Sequence, residues 1–333
     1  MYIFRKRISM RLIIDCDPGN GIAGANIDDG LALALAIAAP QISLELISTV
    51  SGNTPSEIGY SVAKSLLQRL GENIPVLRGA SQGLLEPMKV WREKLDHSVD
   101  QNGLRDLWEG VVPPEQFPLV ISSAAHGMGK LVCQNPGEIR LVAIGPLTNV
   151  ANAMQIYPEF AESVVEIVIM GGVFNVPGYQ KDTNFGIDPE AAHIVLTSGA
   201  NITLVPMDVT TQTQMLHSDL DYLSTFNNPL CEFLVETIRP WMNYSIKTRG
   251  LAGCWIHDAL TVAWLIDKTI VTSTQNYVDV VLEGIERGMT ILYEPESPLL
   301  NMNTPINRKP VTILNTVDSA RFLSMIFHYI KNY

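Results

Sequence analysis

The chain has 333 residues, of which 47% are hydrophobic and 17% charged, so it is long and apolar enough to bury a sizeable core and is not a disordered chain. Lys and Arg number 23 against 34 Asp and Glu, a net charge of −11. That argues against a nucleic acid or an anionic membrane as the main partner, because phosphate recognition needs basic clusters.

Residues 1–10 begin with a basic stretch but lead into no apolar h-region and no small-residue cleavage site. They are expected to form an N-terminal tail ahead of one domain over 11–333. Arg11–Asp15 reads as a buried strand bounded by Asp17-Pro-Gly19. Asp28–Ala39 reads as a helix, with two acids at the positive end of its dipole and Pro40 after it. Leu44–Val50 is a strand, Pro55–Leu70 an amphipathic helix and Pro75–Arg78 a short strand. Met88–Phe117 is polar and rich in Pro and Gly, and is expected to be a flap or surface excursion. Ile139–Ile144 is a strand followed by a helix from Leu147. Val165–Met170 is a strand, Asp188-Pro189-Glu190 a helix start with Asp as cap, and Ile202–Pro206 another strand. Residues 215–255 carry aromatics and read as a small helical elaboration.

Such alternation predicts an α/β fold: an open, mostly parallel central sheet with helices on both faces. In such sheets ligands sit beyond the carboxyl ends of the strands. Residues 15–29, 51–54, 144–149 and 170–172 are polar or Gly-rich strand ends and are expected to converge on one site. No G-x-G-x-x-G and no G-x-x-x-x-G-K-[ST] is present, which removes the main support for a dinucleotide or P-loop site. The longest apolar run, Leu31–Ala39, is too short to span a bilayer. Cys16, Cys133, Cys231 and Cys254 form no C-x-x-C pair, which suits a reducing compartment. A soluble, cytoplasmic protein is expected.

Asp15, Asp17, Asp28 and Asp29 fall within fifteen residues. Carboxylates brought together repel unless a cation neutralises them or some are protonated. An all-oxygen donor set suits Ca²⁺ or Mg²⁺ better than Zn²⁺. The plainer alternative is that Asp28 and Asp29 merely cap a helix, which leaves Asp17 without a purpose. A second acidic helix start is His257-Asp258-Ala; alone it is weak, since a capping Asp beside a surface His is the commoner outcome.

These residues together resemble the inosine-uridine-type nucleoside hydrolases, the nucleoside N-ribohydrolases. Asp15-Cys-Asp17-Pro-Gly19 and Asp28-Asp29 match the two halves of the family signature D-x-D-P-G-x-D-D. Ser51-Gly-Asn53, Ile144-Gly-Pro-Leu-Thr-Asn149, Met170-Gly-Gly172, Thr183-Asn184-Phe-Gly-Ile-Asp188 and His257-Asp258-Ala follow in the family's order, from about Arg11 to at least Asp267. The resemblance implies Ca²⁺-dependent hydrolysis of ribonucleosides to ribose and free base, by a homodimer or homotetramer. It implies Asp17 as general base toward a metal-held water. Asp17, Asp29, Asp258 and the Ile144 carbonyl would be the metal ligands. Asp28, Asn53, Asn184 and Asp258 would hold the ribose hydroxyls, with Met170 lining the sugar pocket. His257 would help the base leave. The purine-specific branch carries Trp at this last position, and His257 sides with the inosine-uridine and pyrimidine branches.

Three departures stand out. Ten residues, Pro18–Ile27, separate Asp17 from Asp28, a much longer spacing than the family's. An insertion is expected here, its glycines forming a loop that bulges outward and returns. Asp182 stands where the family has a sugar-contacting Glu and is one methylene shorter, so a changed 5′-hydroxyl pocket is expected. In the flap, His97 has the wrong spacing for the family's His-Gly segment and reads as a surface histidine, while Trp91 or Trp108 is available to stack on a base. On the base side Trp241, Tyr244, Arg249 and Trp255 are candidates. Two other readings stay open. One is a catalytically weak nucleoside- or ribose-binding protein of the same fold. The other is an Asp-based phosphatase, which Pro18 disfavours.

Overall fold

The computed structural model describes residues 9–118, 123–293 and 308–333. Residues 1–8 of the expected tail lie outside that range, and Met10 already belongs to the first strand. A nine-stranded sheet runs in the order β10-β9-β11-β6-β5-β4-β1-β2-β3. The strands are β1 Met10–Cys16, β2 Ile42–Thr49, β3 Val76–Arg78, β4 Ile139–Ala143, β5 Glu166–Met170, β6 Ile202–Val205, β9 Val271–Val280, β10 Thr290–Tyr293 and β11 Val311–Val317. β7 Gln214–Met215 and β8 Cys254–Trp255 form a separate antiparallel ribbon. All pairings from β3 across to β11 are parallel, and β9 and β10 close one edge in antiparallel fashion.

Alternation along the central strands divides the core. Leu12, Ile14 and Cys16 of β1 pack on one face, while Ile13 packs on the other. The first face is covered by α1 Asp28–Ala38, α2 Ser56–Leu70, α11 His217–Leu223, α12 Pro229–Arg249, α13 Ala259–Ile266 and the C-terminal helix Ser319–Lys331. The second is covered by α5 Ala124–Gln134, α6 Thr148–Ile156, α7 Phe160–Ser163, α8 Thr183–Ile187 and α9 Pro189–Leu196. Leu12, Ile13 and Ile14 are wholly buried, each contributing about 1.5–3 kcal/mol of transfer free energy. That double burial is why β1 reads as an uninterrupted apolar run.

The expected elements recur with ends shifted by a residue or two. Asp188 caps α9 by accepting from Ala191 N, with Pro189 at the first helical position. The polar stretch after Met88 is more ordered than expected. It holds α3 Lys89–Asp96, α4 Ser98–Gln101 and a 3-10 turn at Arg105–Trp108. The inserted loop does not bulge into solvent. Asn20 is buried and donates from Nδ2 to Thr237 Oγ1 of α12 at 3.0 Å. Gly24 (φ +80) lies so close to the flap that a Cβ there would sit 3.2 Å from Val99. The loop returns inward because this packing removes Ala25 and Ile27 from water.

Candidate active site

Along the chain, β2 and β3 extend the sheet to one side of β1, and β4 to β6 extend it to the other. The gap beyond the carboxyl ends of β1 and β4 is thus a topological switch point, where open α/β sheets bind ligands. A cavity of about 660 Å³ opens there, lined by Asp28, Asn53, Ile144, Met170, Asp182, Asn184, His257 and Asp258 among others. Asp17 and Asp29 lie directly behind this lining, both fully buried. The ten residues to which the resemblance assigns catalytic, sugar-binding or metal-binding roles therefore gather at one place.

Neither Asp28 nor Asp29 caps α1. The N-cap is Ile27, with no side-chain cap bond. Asp28 Oδ2 instead accepts from His257 N at 2.8 Å and Asp258 N at 3.3 Å, joining the start of α1 to the start of α13. Asp28 Oδ1 is buried with no hydrogen-bond partner. Asp29 Oδ1 accepts from Asp17 N at 2.9 Å. The Asp17 carboxylate accepts from Asn53 N at 2.5 Å and from Asn53 Nδ2 at 3.3 Å, and Asn53 Nδ2 also reaches Asp29 Oδ2 at 3.3 Å. The Ser51-Gly-Asn53 turn holds this arrangement because Gly52 has no side chain. A Cβ there would fall 1.8 Å from Asp17 Oδ2 and 2.7 Å from Pro146 Cδ. Gly52→Ala is therefore expected to displace the Asp17 carboxylate and lower kcat by about 10²-fold, measured against the parent at saturating substrate.

The grouping of carboxylates could hold a cation. Carboxylate oxygens of Asp28, Asp29 and Asp258 lie within 4.8 Å of one another, all buried. Burial and the neighbouring carboxylates push Asp29 and Asp258 well above the usual carboxylate range. Burial also lifts Asp17 to about 6, against its bond from Asn53. Keeping these groups ionised at neutral pH needs a compensating positive charge. The exclusively oxygen donor set of these buried carboxylates fits a hard divalent cation.

Asn184 donates from Nδ2 to the carbonyls of Ile144 and Met170, at 3.0 Å each, which leaves its Oδ1 for a ligand. The Asp182 carboxylate is used by backbone: Oδ1 accepts from Gly172 N at 2.8 Å and Oδ2 from Phe185 N at 3.2 Å, capping α8. Burial raises Asp182 to about 6. His257 is buried, its imidazole pKa lowered by desolvation, so it is neutral at physiological pH. Among the aromatic candidates, Trp91 and Trp255 line the cavity. Trp108 packs edge-on against Tyr244, and Trp241 stacks on Tyr244 at 5.5 Å; these three belong to the core. Arg249 lines the cavity with its guanidinium 5.0 Å from the Trp241 ring, and His97 is exposed.

Several contributors carried no sequence signal. Arg92 of α3 donates from Nη2 to the carbonyl oxygens of Gly52 and Asn53, and its charge helps keep Asp17 ionised. Nothing in a polar excursion marks one arginine as inward-facing. Asn149, noted only as part of a motif, donates to Asp15 Oδ1 at 2.8 Å and to the Thr49 carbonyl at 3.1 Å, and accepts from Ala80 N at 2.8 Å. It ties together the ends of β1, β2 and β3. Asp15 is fully buried, and burial pushes its carboxyl up to about 7. A carboxyl raised in the folded state binds its proton more tightly there, so its contribution to stability is lost as pH rises from about 4 to about 7. Asp15→Asn keeps an oxygen for Ser48 and Asn149 and removes this titration. Its denaturation midpoint is expected to match the parent's near about pH 4 and to exceed it at about pH 8, as chemical unfolding at both pH values will show.

Fold and site together define a parallel α/β protein with a carboxylate-floored ligand cavity at its switch point. Comparison with known proteins makes the class specific. The family model described as inosine-uridine preferring nucleoside hydrolase matches residues 12–324. The chain is 31% identical over 320 residues to a probable uridine nucleosidase 2 of Arabidopsis thaliana, covering 95% of this chain and 96% of that one. It is 30% identical over 332 residues to a pyrimidine-specific ribonucleoside hydrolase RihA of Salmonella arizonae, covering 98% and 100%. Among solved structures it superposes on a plant nucleoside hydrolase, the PpNRh1 enzyme, with a TM-score of 0.86 at 28% identity, covering 97% of this chain and 99% of that one. A purine-preferring ribonucleoside hydrolase from Gardnerella vaginalis gives 0.81 at 27%, covering 97% and 98%. The chain belongs to the inosine-uridine preferring nucleoside hydrolase family. It is a hydrolase of N-glycosyl compounds.

Proposed function

We propose that the cavity hydrolyses ribonucleosides to ribose and free base with Ca²⁺ as its cation and Asp17 as general base. The observation that carries this reading is the buried group of Asp17, Asp28, Asp29 and Asp258 at one end of a cavity that also presents Asn53, Asn184 and His257. Breaking the N-glycosidic bond builds positive charge on the ribose ring, and preorganised carboxylates stabilise it where it develops. The carboxylates of Asp17, Asp29 and Asp258 with the Ile144 carbonyl would hold the cation, which when bound acidifies and orients a water. Asp17 takes the proton from the water that adds to the anomeric carbon. Asp28 Oδ1, without a hydrogen-bond partner among the described residues, and Asn184 Oδ1, left free by the two bonds of Nδ2, accept from ribose hydroxyls, with Asn53 and Asp258 beside them. Met170 forms the apolar wall of the sugar pocket. His257 faces the base.

Four cysteines without a disulfide among them support a cytoplasmic setting. The family resemblance supports a homodimer or homotetramer. The test is a ribose-release assay with uridine, cytidine, inosine, adenosine and 2′-deoxyinosine, each with Ca²⁺ and with a chelator. Uridine leads the series because two relatives are named for uridine or pyrimidine substrates. Chelator-sensitive release from ribonucleosides is expected, with the deoxynucleoside rejected because its missing hydroxyl leaves buried acceptors unpaired. No release from any ribonucleoside would sink the proposal and favour a binding protein of this fold.

A further inference from the structure

We propose that Thr210 is a positioning residue that selects the tautomer of His257, so that Nε2 carries the hydrogen turned toward the departing base. This rests on the reading of the cavity as a ribonucleoside hydrolase site. Thr210 ends a short helix, α10 Met207–Thr210, which follows β6 at the carboxyl edge of the sheet. It is fully buried, and its Oγ1 lies 2.6 Å from His257 Nδ1.

The direction of that bond follows from the alternatives open to the hydroxyl. Its other acceptor is the Met207 carbonyl at 3.5 Å, the outer limit of a hydrogen bond. If Nδ1 carried the hydrogen, Thr210 Oγ1 would accept it and its own hydrogen would be left with that distant carbonyl. The short distance is satisfied best when Oγ1 donates to Nδ1. A neutral imidazole then carries its N–H at Nε2. No side chain or backbone group among the described residues bonds to Nε2, and His257 lines the cavity.

The rest of the histidine is pinned as well. His257 N donates to Asp28 Oδ2 at 2.8 Å. Thr213 Oγ1 lies 2.8 Å from the Ile256 carbonyl and 2.7 Å from the Thr210 carbonyl, tying the segment after α10 to the chain beside His257. The imidazole thus has one nitrogen committed to protein and one presented to ligand. When the glycosidic bond breaks, its electron pair passes to the base, and an Nε2–H hydrogen bond stabilises that charge. The proton the base finally gains balances the one Asp17 removes from water, so His257 needs to give up none.

The test separates leaving-group assistance from general damage. Thr210→Val keeps the shape and removes the hydroxyl; Thr210→Ser keeps the hydroxyl. Both are assayed with Ca²⁺ on uridine, inosine and p-nitrophenyl β-D-riboside, whose leaving group is stable without a donor. Thr210→Val is expected to lower kcat on the two nucleosides by about 10²-fold and on the nitrophenyl riboside by less than about threefold, with Thr210→Ser within about threefold of the parent on all three. Equal losses on nucleosides and nitrophenyl riboside, or no recovery in Thr210→Ser, would overturn the proposal. A second measurement needs no variant of Thr210: nitrogen NMR of the ¹⁵N-histidine-labelled, Ca²⁺-loaded parent, with His257 assigned by its loss in His257→Gln. A protonated Nε2 and bare Nδ1 are expected, and a protonated Nδ1 would overturn the assignment. Failure of the parent to cleave any riboside would instead refute the hydrolase reading, while the NMR result would still decide the tautomer.

Discussion

Replacing Asp17 by Asn is expected to lower kcat for uridine by about 10³-fold while leaving the protein folded. The loss follows from the proposed role of Asp17 as the group that takes the proton from water. The fold survives because the contacts at this position are largely backbone: Asp17 N still reaches Asp29 Oδ1, and Asn53 N still finds an oxygen. Stability without divalent cation is expected to rise. Asp17 contributes to the repulsion that pushes Asp29 and Asp258 upward, and its own carboxyl is raised to about 6 by burial. An amide at the same place carries no charge to bury. Activity assays paired with melting curves in chelator give the check. A variant that keeps a tenth or more of the parent rate, well above the about one-hundredth left by the smallest losses typical of general bases, would exclude Asp17 as the base.

Removing the cation from the parent is the second large effect. Chelation is expected to reduce ribose release to about 1% or less, with recovery on adding Ca²⁺. It is also expected to lower the melting temperature, since a ligand that binds only the folded state at a hundred times its Kd stabilises by about 2.7 kcal/mol. For a chain of this length that corresponds to about 4 °C. The two predictions interlock: in Asp17→Asn, with one carboxylate gone, the Ca²⁺-induced rise in melting temperature should shrink. Calorimetry of both proteins with and without Ca²⁺ measures this, and an undiminished rise in the variant would remove Asp17 from the ligand set.

Much of the central sheet was legible because it is governed by local rules. β1 is buried on both faces, so it reads as Leu12, Ile13 and Ile14 in a row. Asp28 and Asp29 announce a helix because acids favour the positive end of its dipole. The far edge of the sheet was not legible. β9 is exposed from Thr272 to Gln275 and carries no apolar run to betray it. Met88–Phe117 read as an excursion because its composition is polar. Its inner side nevertheless contributes Trp91 to the cavity and Arg92 to the Gly52 and Asn53 carbonyls, and a helix of eight residues with no buried side chain leaves no apolar period to read.

The same division holds at the site. Residue identities within a motif, such as Asp17-Pro-Gly19 or His257-Asp258, are visible in the chain because each is a local chemical pattern. Their meeting is not, because contact depends on the path of the backbone and sequence separation carries no distance. Asp28 receives its hydrogen bonds from residues 229 and 230 positions away. Asn149 reaches back 134 positions to Asp15. Thr210 and His257 are 47 apart and meet only because β6 and the start of α13 end on the same edge. The fate of Asp182 was also a tertiary matter: Gly172 N and Phe185 N take up its carboxylate, and no motif records which backbone groups a shortened side chain will find.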